Sequence, residues 1–354
     1  MSSHMSTTQK AQVFQSNGGP IKLETIPLPV PKADEVLVHL KYTGVCHTDL
    51  HAWQGDWPIV TKKPLVGGHE GVGEIVGLGS GVHNYHLGDK VGIKWINGTC
   101  GTCTYCMHGG IEQLCPQAEL SGYTVNGTFQ QYATVQASQA TRIPDHVKLA
   151  EIAPVMCAGV TVYTALKRTE AKPGQTIAIT GAGGGLGSFA LQYAKCLGLR
   201  VIAIDTGKEK EQACRAAGAE AFVDYMTTKD LIQDVKNHSP DGFGPHGALI
   251  VAAAEKPMQQ ATEYVRSDGV VVCVGLPGHG ALIKADVFQT VARMVTIRGS
   301  YVGSMLDAQE AVDFFARGLI KCPTQIKKLE DLPSVYDDMK AARITGRIVL
   351  DLQK

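Results

Sequence analysis

A short β-rich run, Thr176–Thr180, leads straight into Gly181-Ala182-Gly183-Gly184-Gly185-Leu186-Gly187, and a helical pattern follows over Leu186–Leu197. No other stretch constrains the fold as strongly. Strand, glycine turn and helix in immediate succession open a βαβ unit, and the rhythm persists afterwards. Val201–Asp205, Ala221–Tyr225, Ala248–Ala253, Val270–Val274 and Val295–Gly299 read as strands, with helical patterns at Lys208–Ala217, Lys229–Lys236 and Met258–Val265 between them. This alternation predicts a doubly wound parallel sheet. Glycine suits the first turn because the bend is tight and because backbone there can approach a pyrophosphate at a helix N-terminus. A G-x-G-x-x-G spacing fails from Gly181, since position 186 is Leu; from Ala182 the stretch reads A-x-G-x-x-G. A flexible turn is the competing reading. The carboxylate of Asp205, 18 residues beyond Gly187 at the end of the next strand, favours a dinucleotide site. It can accept hydrogen bonds from a free ribose and repels a 2′-phosphate, so the expected cofactor is NAD rather than NADP.

The first part of the chain has a different character. Val36–Leu40 reads as a strand, and Leu65–Val91 is Gly-rich with Val and Ile interleaved. Short strands with tight turns there predict a partly closed β-barrel. Helical patterns are scarce before Val155; they return at Asp307–Gly318, and Gly346–Leu352 reads as a closing strand. With 354 residues, two domains are expected. Residues 1–158 and 302–354 form a catalytic domain carrying a lobe at 97–116, and residues 159–301 form a coenzyme domain. Formal net charge is zero, which argues against a nucleic-acid partner. No apolar run is long enough to span a bilayer. Met1-Ser2-Ser3-His4 looks like a cloning scar before a start at Met5, and no signal core follows. The expected compartment is the cytoplasm.

Ten cysteines in such a chain point to metal or catalysis rather than disulfides. Cys100-x-x-Cys103-x-x-Cys106-x8-Cys115 can wrap one tetrahedral zinc with no open position. An iron–sulfur cluster is the competing reading. Cys46, His69 and Cys157 are a Cys2His set of the kind that leaves a fourth position open on a catalytic zinc. Spacing alone cannot group three residues so far apart.

Cys46-His47-Thr48-Asp49-Leu50-His51, Gly67-Gly68-His69-Glu70-Gly71-Val72-Gly73, the four-cysteine lobe and Gly181–Gly187 together resemble the zinc-containing medium-chain dehydrogenases. Asp56-Trp57-Pro58, Gly92–Gly98, Leu120-Ser121-Gly122-Tyr123 and Ala158–Tyr163 narrow the resemblance to the yeast and fungal alcohol dehydrogenases, over essentially the whole chain after the scar. The resemblance implies a GroES-like catalytic domain and a Rossmann coenzyme domain, with two zinc ions per chain. It implies that Cys46, His69 and Cys157 hold the catalytic zinc, Glu70 stands close by, and Asp49 orients His69. Thr48 would touch the substrate oxygen, with His51 at the outer end of a proton relay. His47 and Arg347 would face the cofactor pyrophosphate, and Asp205 and Lys210 the adenosine ribose. Thr161, Val274, Leu276, Ser300 and Val302 would complete the cofactor site. Trp57, Trp95 and Leu276 would wall a pocket for short alcohols. The implied reaction is reversible oxidation of small primary alcohols, ethanol among them, to aldehydes by hydride transfer to NAD, in a homotetramer. A reductase for other aldehydes or ketones, or a redox-inactive NAD-binding zinc protein, are the alternatives. One departure stands out: the family has seven residues between its last two lobe cysteines, and here there are eight, with Gly109-Gly110 offering a loop to absorb the extra one.

Overall fold

The computed structural model describes residues 7–278, 280–344 and 346–353; the scar and the start at Met5 lie outside them. The chain divides into two compact units. One comprises the residues up to Cys157 with Gly303–Ala316 and Lys321–Lys354, and the other comprises Ala158–Val302 with Arg317–Ile320.

The first unit is built around one long strand, Glu35–Val45. The sequence pattern ended it at Leu40, where apolar alternation stops, yet its backbone continues for five more residues. On one edge it pairs with Glu70–Leu78 along its length, interrupted by irregularities at Leu37/Val38 and Leu40/Tyr42. On the other edge its first half pairs with Tyr132–Gln136 and its second half with Arg347–Asp351. The sheet extends outward through Lys90–Ile93 and Thr141–Arg142 on one side and Thr324–Lys328 on the other. Bulges bend a strand and increase its twist, which lets such a sheet curl towards a barrel. A smaller sheet, Ile21–Pro27, Thr8–Phe14 and Leu65–Val66, packs with it, and Val36, Val38, Leu40, Ile75, Val91, Ile93 and Leu350 form the shared core.

In the second unit six parallel strands form one sheet: Thr176–Thr180, Arg200–Asp205, Ala221–Asp224, Gly247–Ile250, Val270–Cys273 and Thr296–Gly299. Numbered in that order, they lie 3-2-1-4-5-6 across the sheet. This is the doubly wound Rossmann order, whose crevice opens where the strand order reverses. The strand centres are buried, as their unbroken Val, Ile and Ala runs demand. Arg317–Ile320 groups with this unit although sequence reading gave it to the other; Cys196 Sγ approaches the Leu319 carbonyl at 4.0 Å.

Candidate active site

Cys46 caps the helix His47–Gln54, and its backbone N–H donates to Asp49 Oδ2 at 2.9 Å. The other oxygen of Asp49 holds His69 Nδ1 at 2.7 Å. One buried carboxylate therefore sets both the turn that presents Cys46 and the ring plane of His69. A carboxylate that only accepts fixes the proton on Nδ1 and turns the Nε2 lone pair inward. Nε2 is buried with no hydrogen-bond partner of ordinary geometry. Cys157 follows the turn Ala153–Met156, and its sulfur lies 3.9 Å from that of Cys46. The ligand atoms of Cys46, His69, Glu70 and Cys157 all lie within 4.8 Å of one another.

Two sulfurs bound to one tetrahedral zinc at about 2.3 Å sit about 3.8 Å apart. The observed separation and the orphaned imidazole nitrogen fit that ion. The hydrogen bond between the two thiols holds Cys46 well below the usual thiol range and pushes Cys157 up. Glu70 is raised to about 7 by burial, against the opposing pull of Arg347. Arg347, expected at a phosphate, is ion-paired here with Glu70 Oε1, and its side chain is only 11% exposed. Gly44 permits this carboxylate to lie where it does, because a Cβ there would fall 1.8 Å from Glu70 Oε2.

An unbroken run of rings leads away from the cluster. Trp95 meets His69 edge-on at 5.3 Å, Tyr123 meets Trp95 at 5.5 Å, Trp57 lies over Tyr123 at 6.3 Å, and His51 stacks on Trp57 at 5.1 Å. Both expected tryptophans belong to it. Tyr123, fully buried between them, was quoted in sequence only as part of a motif and given no role. Thr48 and His51 are three residues apart on the helix His47–Gln54, hence on one face. Asp56, likewise part of a motif without a role of its own, holds His51 Nδ1 with its carboxylate at 2.9 Å.

The four lobe sulfurs converge likewise, all within 4.8 Å. Cys100 lies 3.9 Å from Cys106 and 3.6 Å from Cys115, and Cys103 lies 3.5 Å from Cys106. These are tetrahedral edges rather than disulfide lengths. Backbone donors from Thr102 and Cys103 lower the Cys100 thiol to about 6, as suits a metal ligand. Gly109 and Gly110, where a loop was expected to take up the extra residue, both have left-handed φ, +67° and +77°, and the four sulfurs remain together.

In the second unit the expected cofactor residues gather at the carboxyl ends of the strands. Gly181 leaves the first strand, Asp205 ends the second, Val274 and Leu276 follow the fifth and Ser300 follows the sixth. Asp205 Oδ2 accepts from Gly183 N at 2.8 Å, while Oδ1 accepts from Lys210 Nζ at 2.8 Å and Thr206 N at 2.9 Å. The carboxylate thus shapes the glycine turn. The helix Gly185–Cys196 starts within that turn, and a Cβ on Gly187 would lie 2.3 Å from the Gly181 carbonyl. Leu186 occupies its first turn. Thr161 is buried on Ala158–Arg168, and Val302 has a left-handed φ of +39°, rare for a β-branched residue. His47 is exposed at the start of its helix.

Residues 32–145 match the alcohol dehydrogenase GroES-like domain, and residues 185–317 match the zinc-binding dehydrogenase domain. Alcohol dehydrogenase 1 of Neurospora crassa and its namesake from Emericella nidulans are each 55% identical over 346 residues, covering 98% of both chains. Among solved structures, acetophenone reductase from Geotrichum candidum in complex with NAD aligns with a TM-score of 0.87 at 29% identity. It covers 99% of this chain and all of that one. An alcohol dehydrogenase from Aeropyrum pernix also scores 0.87 at 29% identity, covering 97% and 99%. Two converging ligand sets, a Rossmann sheet and full-length identity at this level place the chain in one family: it belongs to the zinc-dependent medium-chain alcohol dehydrogenases, close to the fungal enzymes.

Proposed function

We propose that this alcohol dehydrogenase interconverts short primary alcohols and aldehydes with NAD, with ethanol its preferred alcohol. One observation carries the reading: the Cys2His cluster lies beside a run of aromatic rings, Trp95 and then Tyr123 and Trp57, bulky groups that would crowd a long chain. Cys46, His69 and Cys157 hold the catalytic zinc, with Glu70 beside them, and Cys100, Cys103, Cys106 and Cys115 hold a structural one. When bound, the catalytic ion supplies Lewis acidity to the alcohol oxygen. Bound NAD supplies the hydride acceptor.

The chain's own residues do the rest. Thr48 receives the hydroxyl proton and passes it outward to His51 on the same helix face. Asp56 accepts from Nδ1–H of His51, so Nε2 is the nitrogen that takes the proton. Asp49 keeps the His69 lone pair inward. Trp57 and Trp95 exclude bulky groups and water. Residues 159–301 are the coenzyme domain. Gly181, Gly183, Gly184, Gly185, Leu186 and Gly187 cradle the pyrophosphate, and Asp205 with Lys210 binds the adenosine ribose. Thr161, Val274, Ser300 and Val302 contact the nicotinamide half. His47 faces the phosphates, and Arg347 joins it once it yields a donor from Glu70.

A homotetramer and a cytoplasmic location complete the proposal. Thr296–Gly299 is an edge strand, and the helix Val287–Ala292 before it has no buried residue, with Val287 77%, Phe288 76% and Val291 71% exposed. A second copy of the chain would cover both. No single helix among the described residues is long and apolar enough to cross a membrane. The deciding experiment is a series of specificity constants for straight alcohols from one to eight carbons, with NAD and with NADP. A maximum at ethanol with NAD supports the proposal. A maximum at long or secondary alcohols, or with NADP, overturns it.

A further inference from the structure

Trp57 follows the helix His47–Gln54, its ring stacked on His51, and the residues just after it are exposed. Ile59 is 48% and Val60 90% exposed. Two backbone groups beyond Trp57, at Ile59 and Lys62, pair with Tyr123. The Tyr123 hydroxyl donates to the Ile59 carbonyl at 3.1 Å, and Lys62 N–H donates to the Tyr123 carbonyl at 2.8 Å. Tyr123 itself is 0% exposed, with its ring against both tryptophans. The segment that carries it is anchored to the Trp95 side of the wall. Ser121 N–H donates to the Trp95 carbonyl at 2.9 Å, and Ser121 Oγ donates to the Lys94 carbonyl at 2.8 Å.

We infer that Tyr123 is a specificity-determining positioning residue: its hydroxyl latches the Trp57 loop to the Trp95 backbone and so fixes the gap between the two indoles. Trp95 is buried at 4% exposure, whereas Trp57 is half-buried. The width a substrate chain meets is then set by how firmly Trp57 is held, and the latch holds it. This rests on the pocket reading above and adds to it a residue that need not touch substrate.

The test is a cycle of Tyr123→Phe, Trp57→Leu and the double variant. Tyr123→Phe keeps the buried ring and removes only the hydroxyl. It is expected to raise kcat/KM for hexanol relative to ethanol by about three- to tenfold, the worth of one neutral hydrogen bond. The change should fall in KM for ethanol, with kcat at saturation kept within about twofold. Trp57→Leu should shift the same ratio, and adding Tyr123→Phe to it should shift it no further. Acrylamide quenching of indole fluorescence should rise in Tyr123→Phe, a readout independent of turnover. If Trp57→Leu changes the ratio and Tyr123→Phe does not, the latch is refuted and the pocket reading stands. If Trp57→Leu leaves the ratio unchanged, the pocket reading fails and the latch with it. A uniform loss with every alcohol in Tyr123→Phe would mark a merely structural residue and also refutes the latch.

Discussion

Asp49→Asn should loosen the catalytic zinc without touching the structural one. Asp49 is 2% exposed and accepts two hydrogen bonds, from His69 Nδ1 at 2.7 Å and from Cys46 N–H at 2.9 Å. Asparagine offers one acceptor and one donor in the same space. The Cys46 N–H is backbone and cannot change, so the amide oxygen turns to it. The amide NH2 then faces His69 Nδ1, which must become an acceptor, and the ring proton moves to Nε2. A protonated Nε2 has no lone pair for a metal. Zinc can recover it only by forcing the amide round and leaving a buried N–H opposed, at a cost of about 1–3 kcal/mol. That converts to roughly a 5- to 150-fold loss of affinity, in line with the 10- to 100-fold usual for the partners of zinc-bound histidines. Zinc retention per chain is measured across a graded chelator series, with the lobe ion as internal reference. The first ion should leave at chelator activities lower by about that factor, and the second should leave as in the parent. Identical retention of both ions in Asp49→Asn would refute the reasoning, because the ring proton would then be set by something other than Asp49.

Asp205→Gly removes the acceptor of Gly183 N–H and frees the Lys210 ammonium from its 2.8 Å contact. It should reduce the NAD-over-NADP ratio of kcat/KM by at least about tenfold, the worth of a charged hydrogen bond, and an unchanged ratio would remove Asp205 from the site. Cys103→Ser should cost one zinc per chain and lower the thermal midpoint, by about 2–4 °C for each kcal/mol lost in a unit of this size, as calorimetry would show. Retention of two zinc ions at an unchanged midpoint would refute this. His51→Gln should slow alcohol oxidation most at neutral pH and below, because hydroxide becomes tenfold more available with each pH unit and can bypass the relay. A pH–rate profile lowered equally everywhere would count against it.

Much of the coenzyme unit was legible because each of its elements satisfies a local rule. The strand Thr176–Thr180 and the helix Lys208–Ala217 stand where the pattern put them, since a buried parallel strand needs an unbroken apolar run and a covering helix needs its stripe. The helix His47–Gln54 escaped because its buried face includes Asp49, a carboxylate that no hydrophobic period registers. Val287–Ala292 buries nothing and so carries no stripe to read. Thr324–Lys328 is a mostly exposed edge strand without alternation, and the helix that follows it, Leu332–Lys340, is only nine residues long. In the site, the lobe cysteines announced themselves by spacing. Cys46 and Cys157 are 111 residues apart, and only resemblance grouped them with His69. Tyr123 and Asp56 were out of reach for a different reason. Their importance lies in what they touch, and a Tyr or an Asp in a loop looks the same in sequence whether it latches a neighbour or faces solvent.

The strand Arg347–Asp351 lies inside its sheet, between Glu35–Val45 and Thr324–Lys328, yet it is made long after the strand it closes on. On the ribosome this has an order built into it. The six-strand unit, Arg317–Ile320 included, is made before Arg347–Asp351 and can settle while synthesis continues. The catalytic unit must wait with an open seam along Glu35–Val45, its exposed backbone a template for the wrong strand. Until Arg347 arrives, Glu70 lacks the guanidinium that its Oε1 pairs with, and resists burial. The buried acid and the closing strand thus enforce each other, so a chain stopped before Arg347 would not be a slightly shortened enzyme. It would be a finished coenzyme domain joined to an unfinished catalytic one, and an obvious client for chaperones.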